Sequence, residues 1–196
     1  MQVQNNKEEV PFAHYEEKFR ALDPIESAKR CGVPFADGKF SVRLLGVTYQ
    51  ITWPDYAITA DRDGAFGLSS LPCQTFLLRF LLEGRQAAPS SQFKTFREMP
   101  WGEMYIPYTG RVLTRAAFTF GTKVAKFAAA CEKMGAIRLP HGDAGYQFDF
   151  LGGYRMQIMV YAGDDEFPPS SQVLYSDNFE TGFAAEDRVV AGDILI

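Results

Sequence analysis

The chain predicts an α+β protein, a single domain in which helices pack on a mostly antiparallel sheet. Three observations carry that expectation. Short β-prone runs are joined by glycine-bearing turns at 45–46 and 152–153, amphipathic stretches with helix-capping signals lie among them, and no repeat, linker or low-complexity segment divides the 196 residues. A chain of this length buries roughly 70% of the surface that its unfolded form exposes, which suits one self-sufficient core.

Met1 to Glu9 is polar and reads as a mobile lead-in without the apolar stretch of a secretory signal. Pro11 to Leu22 reads as a helix, and Asp23-Pro24-Ile25-Glu26 starts another, with Asp as N-cap, Pro in the first turn and Gly32 as the stop. Phe40–Leu44 and Val47–Ile51 alternate as two strands around Leu45-Gly46, a hairpin. Ser69 or Ser70 then caps a helix through Leu82 that is apolar on most sides and should be nearly enclosed. Gln86 to Thr109, with Pro89, Pro100 and Pro107 and no period, reads as loop. Thr122 to Met134 is an amphipathic helix with Cys131 on its apolar stripe, closed by Gly135. Tyr146–Leu151, Gly152-Gly153 and Tyr154–Tyr161 form a second hairpin, a short strand follows near Val173–Tyr175, and a helix runs from about Asp187 to Leu195, its last turn weakened by Gly192.

Composition narrows the function classes. Hydrophobic residues at 46% and charged residues at 22% make a globular mixture, and most of the 17 Phe rings belong to a core. A net charge of −4 argues against a phosphate-tracking surface, so nucleic acid is not an expected partner. Cys31, Cys73 and Cys131 are odd in number and lack a Cys-x-x-Cys pair, which points to reduced thiols. The longest apolar run, Phe76 to Leu82, contains Arg79 and falls short of the ~20 residues of a membrane span, so the expected location is cytoplasmic, without a membrane partner.

The acidic run Asp164-Asp165-Glu166, at the end of an apolar strand, is the strongest local candidate for a ligand site, with Asp143, Asp177 and Asn178 as further oxygen donors. Three readings stay open for it: metal or ligand binding, general acid–base catalysis by a carboxylate, and a turn fixed by backbone hydrogen bonds. Arg155 is a candidate for binding an anionic group, with a surface pair to the acidic loop as the plainer alternative. His14 and His141 have no ligand spacing, a Cys–His nucleophilic pair lacks an evident partner, and no Walker or GxGxxG pattern supports nucleotide binding. Cys73 lies in a helix first turn, where the dipole lowers a thiol pKa and apolar neighbours raise it. Trp53, Tyr56, Trp101, Tyr105 and Tyr108 are either core aromatics or a stacking wall for a flat cofactor such as a tetrapyrrole.

The segments His141-Gly142-Asp143, Tyr146-Gln147-Phe148, Leu151, Arg155, Gly163 through Pro168, Leu174 through Asn178 and Glu186-Asp187 through Gly192, with Asp23-Pro24 to Gly32, resemble the domain-of-unknown-function family numbered 3786. The resemblance spans nearly the whole chain. It implies an uncharacterised cytoplasmic protein of anaerobes, with relatives fused to an iron-sulfur domain and associated with one-carbon or corrinoid metabolism. This chain has no cluster-type cysteine motif and carries Leu151-Gly152-Gly153-Tyr154-Arg155 where a Leu-Pro-Arg-like turn is expected. The expected function is an accessory protein that binds a small molecule, a cofactor of unassigned identity or a redox protein through Asp143, Arg155, Asp164, Asp165 and Glu166. The alternative is a small-metabolite enzyme that uses the 164–166 carboxylates as acid, base or metal ligands.

Overall fold

The computed structural model describes residues 9–196. The expected mobile lead-in therefore lies outside the described residues, except Glu9, which begins the first helix. Contacts group the chain into two compact units, 1–86 and 87–196. Helices and strands occur in both, and every strand pairing within either unit is antiparallel, in agreement with the predicted α+β class.

The first unit has helices α1 (Glu9–Ala21), α2 (Pro24–Cys31) and α3 (Leu71–Glu83), and strands β1 (Phe35–Ala36), β2 (Lys39–Leu44), β3 (Val47–Thr52) and β4 (Ile58–Ala60). Asp23 caps α2 as expected: its carboxylate accepts the backbone amides of Ile25 at 2.9 Å and Glu26 at 3.1 Å, and Gly32 closes the helix at φ 64°. Loss of both bonds in Asp23→Ala should lower stability by about 1 kcal/mol, measured by urea unfolding. The β2–β3 hairpin turns on Leu45 and Gly46, both at positive φ, so its strands continue their twist through a tight two-residue loop. In α3, Cys73, Phe76, Leu77, Leu78, Phe80 and Leu81 are all buried, because apolar residues occupy most of its circumference. Its last carbonyls would lack partners there. Ser27 Oγ and Arg30 Nη2, both from α2, donate to the Leu81 oxygen at 2.6 and 2.7 Å and satisfy that one.

The second unit is built on a ladder in the order β6 (Ile137–Leu139), β7 (Ala144–Leu151), β8 (Tyr154–Tyr161), β9 (Ser170–Ser176) and β5 (Phe93–Thr95). The 86–109 stretch is more ordered than the predicted loop. It holds β5 and 3₁₀ turns at Phe96–Glu98 and Gly102–Met104, pieces too short to show a period in sequence. A π-helical turn, Thr109–Thr114, and α4 (Arg115–Phe120) follow, then α5 (Val124–Lys133), α6 (Phe179–Gly182) and α7 (Ala185–Leu195). Gly192 does not end α7. A Cβ there would come within 2.7 Å of the Tyr175 hydroxyl, so the glycine serves close packing inside the helix. Phe150, Tyr154, Tyr175, Phe179 and Phe183 pack ring against ring, mostly edge to face, and account for much of the aromatic excess.

Candidate functional site

The predicted polar residues occupy two opposite ends of β8. At the far end, Asp164 Oδ1 accepts the amides of Glu166 at 2.9 Å and Phe167 at 2.7 Å, while its own amide donates to the Phe167 carbonyl. These bonds hold its carboxyl below the usual aspartate range, so it is poorly suited to exchange a proton near neutral pH. Asp165 and Glu166 are exposed beside it. Asp143 joins the same end: its Oδ2 accepts the Ala162 amide at 2.7 Å, and its amide donates to Val160. Arg155 is the second residue of β8, about 20 Å away at ~3.3 Å per residue. It pairs with Asp149 directly across the hairpin, Nε to Oδ1 at 2.9 Å, rather than with the acidic loop. Asp143 and the 164–166 run are thus brought together, and Arg155 is not.

Because Asp164 is a stronger acid in the folded chain, its contribution to stability is present above the unfolded aspartate pKa. It is lost as pH falls through the lowered folded value. Acid unfolding should therefore begin at higher pH in Asp164→Ala than in the wild type, with Asp164→Asn shifted less because its amide oxygen still accepts; circular dichroism against pH measures both.

All three thiols are buried. Burial pushes Cys73 and Cys131 up to about 12 and raises Cys31, so at Cys73 the apolar surroundings outweigh the helix dipole. At pH 8 a thiol with that pKa is thiolate in only ~1 molecule in 10,000. Iodoacetamide should leave the native protein unmodified over an hour and label three cysteines after denaturation, as read by intact mass. Among the described residues no group of three or more His, Cys, Asp and Glu side chains is placed to hold a metal ion.

Most of the aromatic candidates are structural. Trp53 donates its ring N–H to the Phe19 carbonyl, and Tyr56 its hydroxyl to the Gln74 carbonyl. Tyr108 stacks on Phe96, with centroids 4.1 Å apart and planes 10° apart, and its hydroxyl lies 2.9 Å from that of Tyr175. Trp101 is different: the residue is 68% exposed, on a backbone at φ 68° that bulky residues seldom adopt.

Trp101 stands in the wall of a cleft of about 570 Å³, shared with Lys94, Arg97, Glu98, Pro100, Met104 and Glu180. The cleft follows from local chemistry. Thr95 ends β5, and Glu98 accepts both its backbone amide and its hydroxyl at 2.7 Å, a reciprocal cap that turns the chain. Both bonds lower the Glu98 pKa and keep it ionised. The buried Met99 then anchors the loop, and its carbonyl accepts the Gly102 amide at 2.9 Å. Gly102 lies so close to the Phe96 carbonyl that no Cβ fits, which fixes a glycine immediately after Trp101. On the opposite side, Lys94 Nζ donates to Glu180 at 2.7 Å, a bond that raises the lysine pKa. The result is an apolar face of Trp101, Pro100 and Met104 with charged groups of both signs around it.

A family match, "Domain of unknown function (DUF3786)", covers residues 23–196. The chain belongs to the DUF3786 family. No curated protein and no solved structure matches it. In this DUF3786 chain the motif residues behind the resemblance mostly fasten turns. Asp143 and Asp164 fix the far end of β8. Ser176 Oγ accepts the Arg155 amide and donates to Asn178 Oδ1, and Asn178 Nδ2 donates to the carbonyls of Ala88 and Gly153. The Trp101 cleft lies outside those motifs; the available sequence signal was Glu98 three residues after Thr95, next to a Pro-Trp-Gly turn.

Proposed function

We propose that this DUF3786 protein is a non-catalytic accessory protein that binds a small organic ligand in the cleft beside Trp101. The observation that carries the reading is the indole itself, held in a strained backbone conformation with its face open to solvent at the mouth of a polar-rimmed cleft. Such strain costs on the order of 1–3 kcal/mol and is commonly retained where it serves function. An open indole provides a stacking surface, and the paired and capped charges around it supply orientation. The unbroken match across residues 23–196 supports treating both units as one domain. No described helix is long and apolar enough to cross a membrane, and the free, buried thiols suit a reducing cytoplasm. A role in anaerobic one-carbon or corrinoid metabolism belongs to the same proposal.

The acidic loop is the weaker candidate, because Asp164 is taken up by its own turn and Asp143 by the amide of Ala162. Native mass spectrometry of protein purified anaerobically from its own cells, with an absorbance spectrum and elemental analysis, tests the choice. The expected result is an added organic mass that Trp101→Ala loses and Asp165→Ala keeps. The reverse pattern would move the site to the acidic loop.

A further inference from the structure

We infer that the cleft takes a small zwitterion with a planar apolar group, of the kind of an aromatic amino acid, its ring on Trp101, its anionic end at Arg97 and its cationic end at Glu103. This rests on the reading of the cleft as the binding site and adds the chemistry of its occupant. Five charged side chains line the cleft, and they differ in what already engages them. Lys94 and Glu180 hold each other at 2.7 Å. Glu98 accepts both the amide and the hydroxyl of Thr95. Arg97 and Glu103 are exposed and, among the described residues, make no hydrogen bond or ion pair. One unpaired cation and one unpaired anion therefore line the same cleft as the open indole.

Arg97 and Glu103 sit on the 3₁₀ turns Phe96–Glu98 and Gly102–Met104, one before and one after Trp101 in the chain. The two turns are fastened to each other: Gly102 packs on the Phe96 carbonyl, and its amide donates to Met99 at 2.9 Å. The backbone that carries both charges and the indole is thus one small packed unit, which lowers the ordering cost of binding. A ligand of single charge gains from one unpaired group and is opposed by the other. In a cleft of about 570 Å³ no bound ligand is far from either sign on the scale of the ~8 Å Debye length. An anion meets Glu98, Glu103 and Glu180, and a cation meets Lys94 and Arg97. A zwitterion pairs with both free groups and leaves the charge balance of the cleft unchanged. The indole, Pro100 and Met104 supply the apolar surface for its ring.

Three matched probes test this by isothermal titration calorimetry on the full chain: L-tryptophan, indole-3-propionate, which lacks the ammonium, and tryptamine, which lacks the carboxylate. L-Tryptophan should bind about threefold tighter than either, the scale of one solvent-exposed ion pair at each end. Arg97→Met should bring L-tryptophan and tryptamine to equal affinity, and Glu103→Gln should do the same for L-tryptophan and indole-3-propionate. Both positions are exposed and unpaired, so these variants should fold as the wild type does. Trp101→Ala should weaken all three probes together. Equal affinities, a preference for a singly charged probe, or an order that neither Arg97→Met nor Glu103→Gln changes would overturn the assignment of the two charges; a loss in Trp101→Ala would then still support the cleft as a binding site. Probe binding that Trp101→Ala leaves unchanged would overturn the cleft reading as well. Absence of binding by all three would overturn the zwitterion, while the native mass of wild type against Trp101→Ala decides the cleft separately.

Discussion

Gly153→Ala should destabilise the protein by about 3 kcal/mol. Gly153 has φ 93°, where an L side chain is strained, and a Cβ there would run into the Ala87 carbonyl. That carbonyl cannot withdraw freely. The Ala87 amide donates to Gly152 at 3.1 Å, and Asn178 Nδ2 ties Ala88 and Gly153 together at 2.9 and 3.2 Å. The clash therefore opens a clasp that joins the β7–β8 turn, the start of the second unit and the segment after β9. Each hydrogen bond lost there adds about 1 kcal/mol to the strain. Urea unfolding should show the midpoint falling with little change in slope, and Asn178→Ala should reproduce part of the loss without touching the turn itself.

Trp101→Gly should have the opposite effect on stability and a larger one on binding. Glycine occupies positive φ without penalty, so the fold should gain about 1 kcal/mol, the strain released less the extra freedom of glycine in the unfolded chain. The exposed indole contributes little burial that would offset this gain. Affinity for the natural ligand should nevertheless fall by at least tenfold, because the stacking surface is gone; a stacking contact is worth about 1–3 kcal/mol by comparison with bases on aromatic side chains. Thermal melts and titrations on the same preparation separate the two effects. A variant that is both more stable and binding-deficient marks Trp101 as a residue kept for function rather than for folding.

The parts of the fold that were legible in the sequence are those where a local rule decides the outcome. Asp23, Pro24 and Gly32 delimit α2 because capping is settled within a few residues, and Leu45-Gly46 and Gly152-Gly153 mark hairpins because only certain backbone angles close them. The order hidden in 86–120 was not legible: β5 is three residues long and acquires its structure from β9, and a π-helical turn has no distinct pattern. The site followed the same division. The acidic run was conspicuous in sequence because its carboxylates are adjacent, yet Asp164 hydrogen-bonds its own loop and Arg155 faces Asp149 across the hairpin. Trp101 was inconspicuous, since positive φ in a tryptophan is set by the tertiary packing around Gly102.

Hydrogen–deuterium exchange on protein purified anaerobically, compared before and after its bound small molecules are stripped, locates the binding surface most directly. A ligand in the Trp101 cleft predicts that stripping raises exchange in 94–104 and around 180, while 141–143 and 162–167 keep their rates. Increased exchange confined to 141–143 and 162–167, with 94–104 unchanged, would contradict the cleft and return the site to the acidic loop.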